Sequence, residues 1–228
     1  MFYLRKLAIF FFASVLVIAL FPVAEISSTS SISMSPQITK AATISPDTKY
    51  NTYAKNAVSA LQAWYNPATG LWNHIGWWAL SWIKAYDVTH DIRYLTMAKT
   101  IFKDMTGGWD STYGSGIWWN KDRNYKNAIA NELFLTVAAK LHLRTPGDKS
   151  YLAWSQKEWN WFKGSGMINA QHLINDGLDK AGHNNGGITW TYNQGVILAG
   201  LVDLFKSTGN ASYLASASLL ADSAMKNL

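Results

Sequence analysis

The sequence predicts an all-α chain of repeated helical hairpins, stacked as a toroid or solenoid. Three observations carry that prediction. A Tyr-Leu signature recurs three times, helical periodicity flanks each copy, and long connections rich in Gly, Trp, Asn and Asp follow the second helix of a hairpin.

The copies are "YDVTHDIRYLTMA" with Tyr94-Leu95, "LRTPGDKSYLAWS" with Tyr151-Leu152 and "FKSTGNASYLASA" with Tyr213-Leu214, their tyrosines 57 and 62 residues apart. Each reads as a helix end followed at once by a helix start. Gly147 and Gly209 accept the left-handed conformation that closes a helix. Asp91, Asp148 and Asn210 offer an oxygen to the free amides of the next one. The segments before each turn, "WWALSWIKAYD", "NELFLTVAAKLHL" and "GVILAGLVDLF", are apolar on more than one face and predict inner helices. Those after it, "YLTMAKTIF", "YLAWSQKEWNWF" and "YLASASLLADSAM", predict outer ones. The connections "GGWDSTYGSGIWWNKDRNYKNA" and "NDGLDKAGHNNGGITWTYNQG" would then lie at one end of the inner helices, where binding surfaces are usually carried.

The N-terminal region reads differently. Arg5 and Lys6 precede an apolar run over residues 7–21, and Ala24 suits a signal peptidase; the run is shorter than the ~20 residues of a spanning helix. Residues 1–24 are expected to be a secretory signal peptide. Residues 25–46, rich in Ser and Thr, read as a disordered leader, and residues 47–228 as the folded domain. Removing Arg5 and Lys6 from the 20 basic residues leaves 18 against 14 acidic ones. The basic residues are scattered, so no nucleic-acid stripe is expected. With no cysteine in the chain, a secreted domain must hold together by packing. Asn210-Ala211-Ser212 is a glycosylation sequon.

The absence of cysteine removes a thiol nucleophile. No Gly-x-Ser-x-Gly elbow is present, and the five histidines show no zinc-ligand spacing. No cofactor and no metal are expected. Carboxylates, amides and aromatics remain, the materials of a sugar site, in which pyranose faces stack on rings and hydroxyls bond to Asp, Asn and Gln. Trp109, Trp118, Trp119, Trp190 and Tyr192 supply the first kind; Asp110, Asn127, Asn131, Asp176, Asn193 and Gln194 supply the second. Asn127 and Asn131 stand one helical turn apart and can face one cleft.

The run "GWDSTYGSGIWWNKDRNYKNAIANELFLTVAAKL", with "MINAQHLINDGL" and "GGITWTYNQGVILAGLVDLF", resembles the glycoside hydrolase family 76 domain, especially its fungal branch. The resemblance runs from about Gly76 to Leu228. It implies an (α/α)6 six-hairpin toroid, of which this chain represents about half, since six hairpins of about 60 residues need on the order of 350. It implies endo-acting hydrolysis of α-1,6-mannan, or transfer between mannose-containing glycans, by a secreted protein that is free or held at the cell wall. It further implies a retaining mechanism with two adjacent aspartates. Mannan or a mannose-containing glycan is the expected partner, with no membrane association after signal cleavage and a monomeric chain. Asp176, Tyr192, Asn193 and Gln194 would line the cleft, with Trp109, Asp110, Trp118, Trp119, Asn127 and Asn131 supporting it.

In relatives of this kind the aspartate pair precedes a "GWWALAW"-like helix. Here the helix is "GWWALSWIKAYD", and Asn73-His74 and Ile75-Gly76 stand before and at its start. Neither pair contains a carboxylate. The expectation is a chain lacking the hairpin segment that carries the catalytic pair, with a non-catalytic mannan-binding protein or a non-functional fragment as alternatives.

Overall fold

The computed structural model describes residues 71–228; the expected signal peptide, the leader and the start of the domain up to residue 70 lie outside the described residues. Among these, six α-helices follow in order: α1 Trp72–Thr89, α2 Ile92–Thr106, α3 Ala128–Arg144, α4 Ser150–Phe162, α5 Thr191–Thr208 and α6 Ser212–Asn227. A 3-10 turn at Thr112–Gly114 interrupts the first long connection. Helices α1, α3 and α5 form the inner layer, with α3 packed between the other two, and α2, α4 and α6 each pack behind the inner helix that precedes them.

The inner helices run parallel. Thr136 Oγ1 on α3 donates to the Val196 carbonyl on α5 at 3.2 Å, and further along both helices Lys140 meets Asp203 at 2.8 Å. On the other side, Arg144 forms a two-bond fork with the Asp87 carboxylate of α1 at 2.5 and 2.6 Å. Two glycines set the approach. A Cβ at Gly76 would lie 2.9 Å from Leu133 Cβ, and one at Gly200 would lie 2.1 Å from Leu135 Cδ2 and 2.8 Å from Thr136 Oγ1.

The turn chemistry matches the sequence reading. Asp91, Asp148 and Asn210 accept from the backbone amides of Arg93, Ser150 and Ser212 at 3.0, 2.8 and 3.0 Å. Gly147 and Gly209 have φ of 91° and 70°, and His90 fills the same position in the first copy with φ 56°. Tyr94 stacks on Trp82 of its own inner helix at 5.5 Å, whereas Tyr151 meets Phe102 of the neighbouring outer helix at 5.5 Å.

Burial separates the layers. Helix α3 is buried from Ala128 through Ala139 without a break. Helix α5 departs from the doubly buried form expected of it. It buries Asn193, Gln194, Ile197, Gly200, Leu201 and Leu204, while Thr191, Gly195 and Ala199 are exposed, because only α3 and the outer helices cover it among the described residues. No described helix is long and apolar enough to cross a membrane.

Candidate functional site

Because the inner helices are parallel, their N-termini share one end of the assembly, and both long connections arrive there. The first spans residues 107–127 and the second residues 163–190. The Ala128 amide at the start of α3 donates to the Asp176 carbonyl at 2.8 Å, so the second connection is tied to the start of α3 as well as to α5.

Asp176 is the centre of the cluster that forms there. One carboxylate oxygen accepts a short hydrogen bond from the Tyr125 hydroxyl, and the other accepts from Trp190 Nε1 at 3.0 Å. Asn185 Nδ2 donates to the Tyr125 hydroxyl at 2.9 Å. The Trp190 ring, 40% exposed, lies nearly flat over Tyr192, with centroids 5.8 Å apart and planes inclined by 10°. Burial, followed by the charge of Asp176 and then Glu132, pushes the Tyr192 hydroxyl up to about 12. Burial and the bond to Asp176 likewise hold the Tyr125 hydroxyl well above the usual phenol range. Both phenols therefore stay protonated donors. The result is a half-open aromatic pair with a fixed carboxylate at its edge, able to stack a ring face and accept from hydroxyls.

Behind it, Asn193 and Glu132 are fully buried, and among the described residues none of their side-chain polar atoms has a hydrogen-bond partner. Burial alone raises the Glu132 carboxyl well above the usual carboxylate range.

The other expected cleft residues have different work. Gln194 was expected to line the cleft, yet it is buried and fully bonded. Its Oε1 accepts from the Ile174 amide at 2.8 Å, and its Nε2 donates to the Ile174 and Trp190 carbonyls at 2.9 and 3.0 Å. Asn131 does the same for the first connection. Its Oδ1 accepts from the Ile117 amide at 2.7 Å, and its Nδ2 donates to the Ile117 and Asn127 carbonyls at 3.1 and 2.7 Å. Asn127, also buried, caps α3 by accepting from the Ala130 amide at 3.3 Å. The two asparagines share a helix face as their spacing predicted, but that face meets the loop and not a cleft.

Trp118 is buried with its Nε1 on Asp110 at 2.5 Å, and Trp109 packs among Phe134 and Trp154 under Lys157. Trp119 is half-buried, its amide donating to the Tyr125 carbonyl at 2.8 Å. Asp110 is held by Trp118, Arg123, Lys126 and the Thr112 amide. Burial would raise its carboxyl, but these donors outweigh burial and keep it well below the usual range. These residues build the first connection. Asn73 and His74 lie in the first turn of α1, at the same end.

Lys126 organises that connection, and the sequence reading missed it. Its ammonium is fully buried, bonded to the Thr112 and Ser115 carbonyls at 2.7 Å each and to the Asp110 carboxylate at 2.9 Å, with the Trp118 ring 4.9 Å away. A charged residue opening an apolar helix, as in "YKNAIANELF", was the available signal for both Lys126 and Glu132. Tyr125 carries no comparable mark.

The profile of glycosyl hydrolase family 76 matches residues 33–228. This chain belongs to glycosyl hydrolase family 76. A mannan endo-1,6-α-mannosidase, DCW1, of Candida albicans is 36% identical over 126 residues, covering 50% of this chain and 27% of that protein. The DCW1 protein of Saccharomyces cerevisiae is 32% identical over 128 residues, covering 52% and 28%. Among solved members of the family is an α-1,6-mannanase of a Salegentibacter species bound to an α-1,6-linked mannose tetrasaccharide. It is an inactive variant with two adjacent aspartates replaced by alanine. It superposes with a TM-score of 0.68 at 24% identity over 78% of this chain and 54% of its own. Dfg5 of Chaetomium thermophilum, in complex with glucosamine, gives 0.69 at 19% identity over 77% and 49%. The chain thus spans about half the length of these solved proteins and about 28% of the curated relatives, and its three described hairpins are part of an (α/α)6 toroid.

Proposed function

We propose that this chain is a secreted, mannan-binding member of the endo-α-1,6-mannosidase class that holds its glycan without cutting it by the retaining route. The observation that carries the binding half is the Trp190–Tyr192 pair with Asp176 fixed at its edge, at the shared end of the inner helices. Mannan is the ligand class because the curated relatives are named for it and a family member holds an α-1,6-linked mannose oligosaccharide. Of the expected contacts, Asp176 and Tyr192 remain available to a sugar. Trp190 joins them.

The lack of cleavage rests on the sequence at the start of α1. Retaining hydrolysis needs a nucleophile and an acid/base, two carboxyl groups about 5–5.5 Å apart. Residues 71–76 supply Asn73 and His74 and no carboxylate. An amide cannot form the glycosyl intermediate, and a histidine could only exchange protons.

The experiment is paired. Binding of α-1,6-linked mannose oligosaccharides is measured by calorimetry, and reducing-sugar release from the same preparation by a coupled assay. Saturable binding, lost in Asp176→Asn and Trp190→Ala, without sugar release is the expected result. Binding that survives both substitutions overturns the site, and sugar release overturns the non-cleaving reading.

A further inference from the structure

We infer that Asn210 is an N-glycosylation site, modified on the face of the molecule opposite the candidate glycan site. Asn210-Ala211-Ser212 is the single Asn-x-Ser/Thr triplet of the sequence, and all three residues are exposed, Asn210 and Ala211 in the turn after α5 and Ser212 as the first residue of α6. Exposure is what the modification requires, and it is not general among the asparagines of this chain: Asn120, Asn127, Asn131, Asn175 and Asn193 are buried.

The bonding of Asn210 leaves the reacting atom free. Its Oδ1 accepts from the Ser212 amide at 3.0 Å, and its own amide donates to Thr208 Oγ1 at 3.2 Å. Its Nδ2 bonds to no described residue. In the transfer, Nδ2 forms a bond to the anomeric carbon of an oligosaccharide carried on a polyprenyl pyrophosphate. The bond from that carbon to the pyrophosphate oxygen breaks, and the amide proton leaves with the pyrophosphate. The product retains Oδ1, so the cap on α6 persists beneath the glycan.

Position makes the modification compatible with binding. Asn210 follows the C-terminus of α5, whereas Trp190 and Tyr192 stand at its N-terminus. An 18-residue helix separates them, about 27 Å at 1.5 Å per residue. A glycan at Asn210 therefore projects from the end that does not carry the aromatic pair. The inference rests on the secretory reading of residues 1–24, since only a chain that enters that pathway meets the lipid-linked donor.

The full chain, with its own leader, is expressed in a eukaryotic secretory host and treated with an N-glycan-specific endoglycosidase in ¹⁸O-water. A single downward mass step is expected, with ¹⁸O-labelled Asp at position 210 in the peptide map. Asn210→Gln and Ser212→Ala should both abolish the step. Ser212→Ala keeps the backbone amide that Asn210 caps, so it should melt like the deglycosylated wild type; Ser212→Thr should retain the step. A chain whose mass is unmoved by the enzyme overturns the inference. N-terminal sequencing of that chain shows which premise failed: an intact leader indicts secretion, and a removed leader indicts the acceptor.

Discussion

Replacing Lys126 with methionine, which keeps the length of the stem and removes the charge, tests how the first connection is held. The ammonium makes three bonds of 2.7 to 2.9 Å, to the Thr112 and Ser115 carbonyls and to Asp110. Hydrogen bonds to a charged group contribute about 1.5–3 kcal/mol each, but burying the ammonium itself costs several kcal/mol. Asp110 also keeps Arg123, Trp118 and the Thr112 amide, so its charge is not orphaned. The net loss should be about 2–4 kcal/mol, dominated by two carbonyls of the partly buried connection left without this donor. For a domain of this size that corresponds to a fall in Tm of about 5–12 °C. Urea unfolding gives the free energy, and amide exchange at Ile117 and Trp118 shows whether the connection loosens first. Adding Asp110→Asn to Lys126→Met should cost less than the sum of the two single changes, by at least about 1 kcal/mol. A loss under about 1 kcal/mol with unchanged exchange, or strict additivity, would refute the reasoning.

Other expectations follow from the same geometry. The Asp110 carboxyl is lower in the folded chain than in the unfolded one, where it titrates near 3.9. Its contribution is complete above that value and lost as the pH falls through the folded one; Asp110→Asn should therefore cost about 1–2 kcal/mol at neutral pH and shallow the acid limb of a stability–pH profile. Glu132 has the opposite sign. Its carboxyl is raised in the folded state by burial, so its penalty is absent below the unfolded value near 4.3 and grows as the pH rises toward the folded one. Glu132→Gln should stabilise at pH 7 and leave stability at pH 4 nearly unchanged, as read by urea midpoints at both pH values. Gly200→Ala should destabilise by up to about 2 kcal/mol, because overpacking against Leu135 and Thr136 costs about 1–3 kcal/mol and is offset by a propensity gain of only about 1 kcal/mol.

The hairpins were legible because a helix–turn–helix junction is specified locally. Gly209 must have positive φ and Asn210 must reach the amide two residues on, and both demands appear as residue types at fixed spacing. The inner layer was legible because "NELFLTVAAKL" is apolar all round. The site was legible only in part. Asp176 and Tyr192 come together around Trp190 at the shared end of the inner helices, but polarity alone does not say whether an amide faces solvent or a loop backbone. Asn131 and Gln194 have the composition of sugar ligands and the burial of core residues. What turns them inward is the path of a connection 14 or 20 residues away in sequence, at Ile117 and Ile174, and nothing local to the helix records that path. Tyr125 reaches Asp176 across 51 residues for the same reason.

Those two amides also show how the repeat builds its open end. Asn131 is the fourth residue of α3 and Gln194 the fourth of α5, and each offers an acceptor and a donor to one isoleucine of the connection before it, as a neighbouring strand would. The fourth residue of α1 is Ile75, buried in the core, and α1 also begins at Leu71 without a side-chain cap. An amide at this position is favourable only where a backbone waits for it. Asn131→Leu and Gln194→Leu should each cost about 2–4 kcal/mol, since each leaves a buried amide and carbonyl unpaired, and each should speed exchange in its own connection only. Ile75→Asn should also destabilise, by about 2–4 kcal/mol, because it removes apolar contacts from the core and puts a polar amide in their place. If Gln194→Leu unfolds with a midpoint within about 0.5 kcal/mol of the wild type, a margin ordinary for surface changes, the brace is incidental. The second connection, with Asp176 on it, would then be held by its own turns.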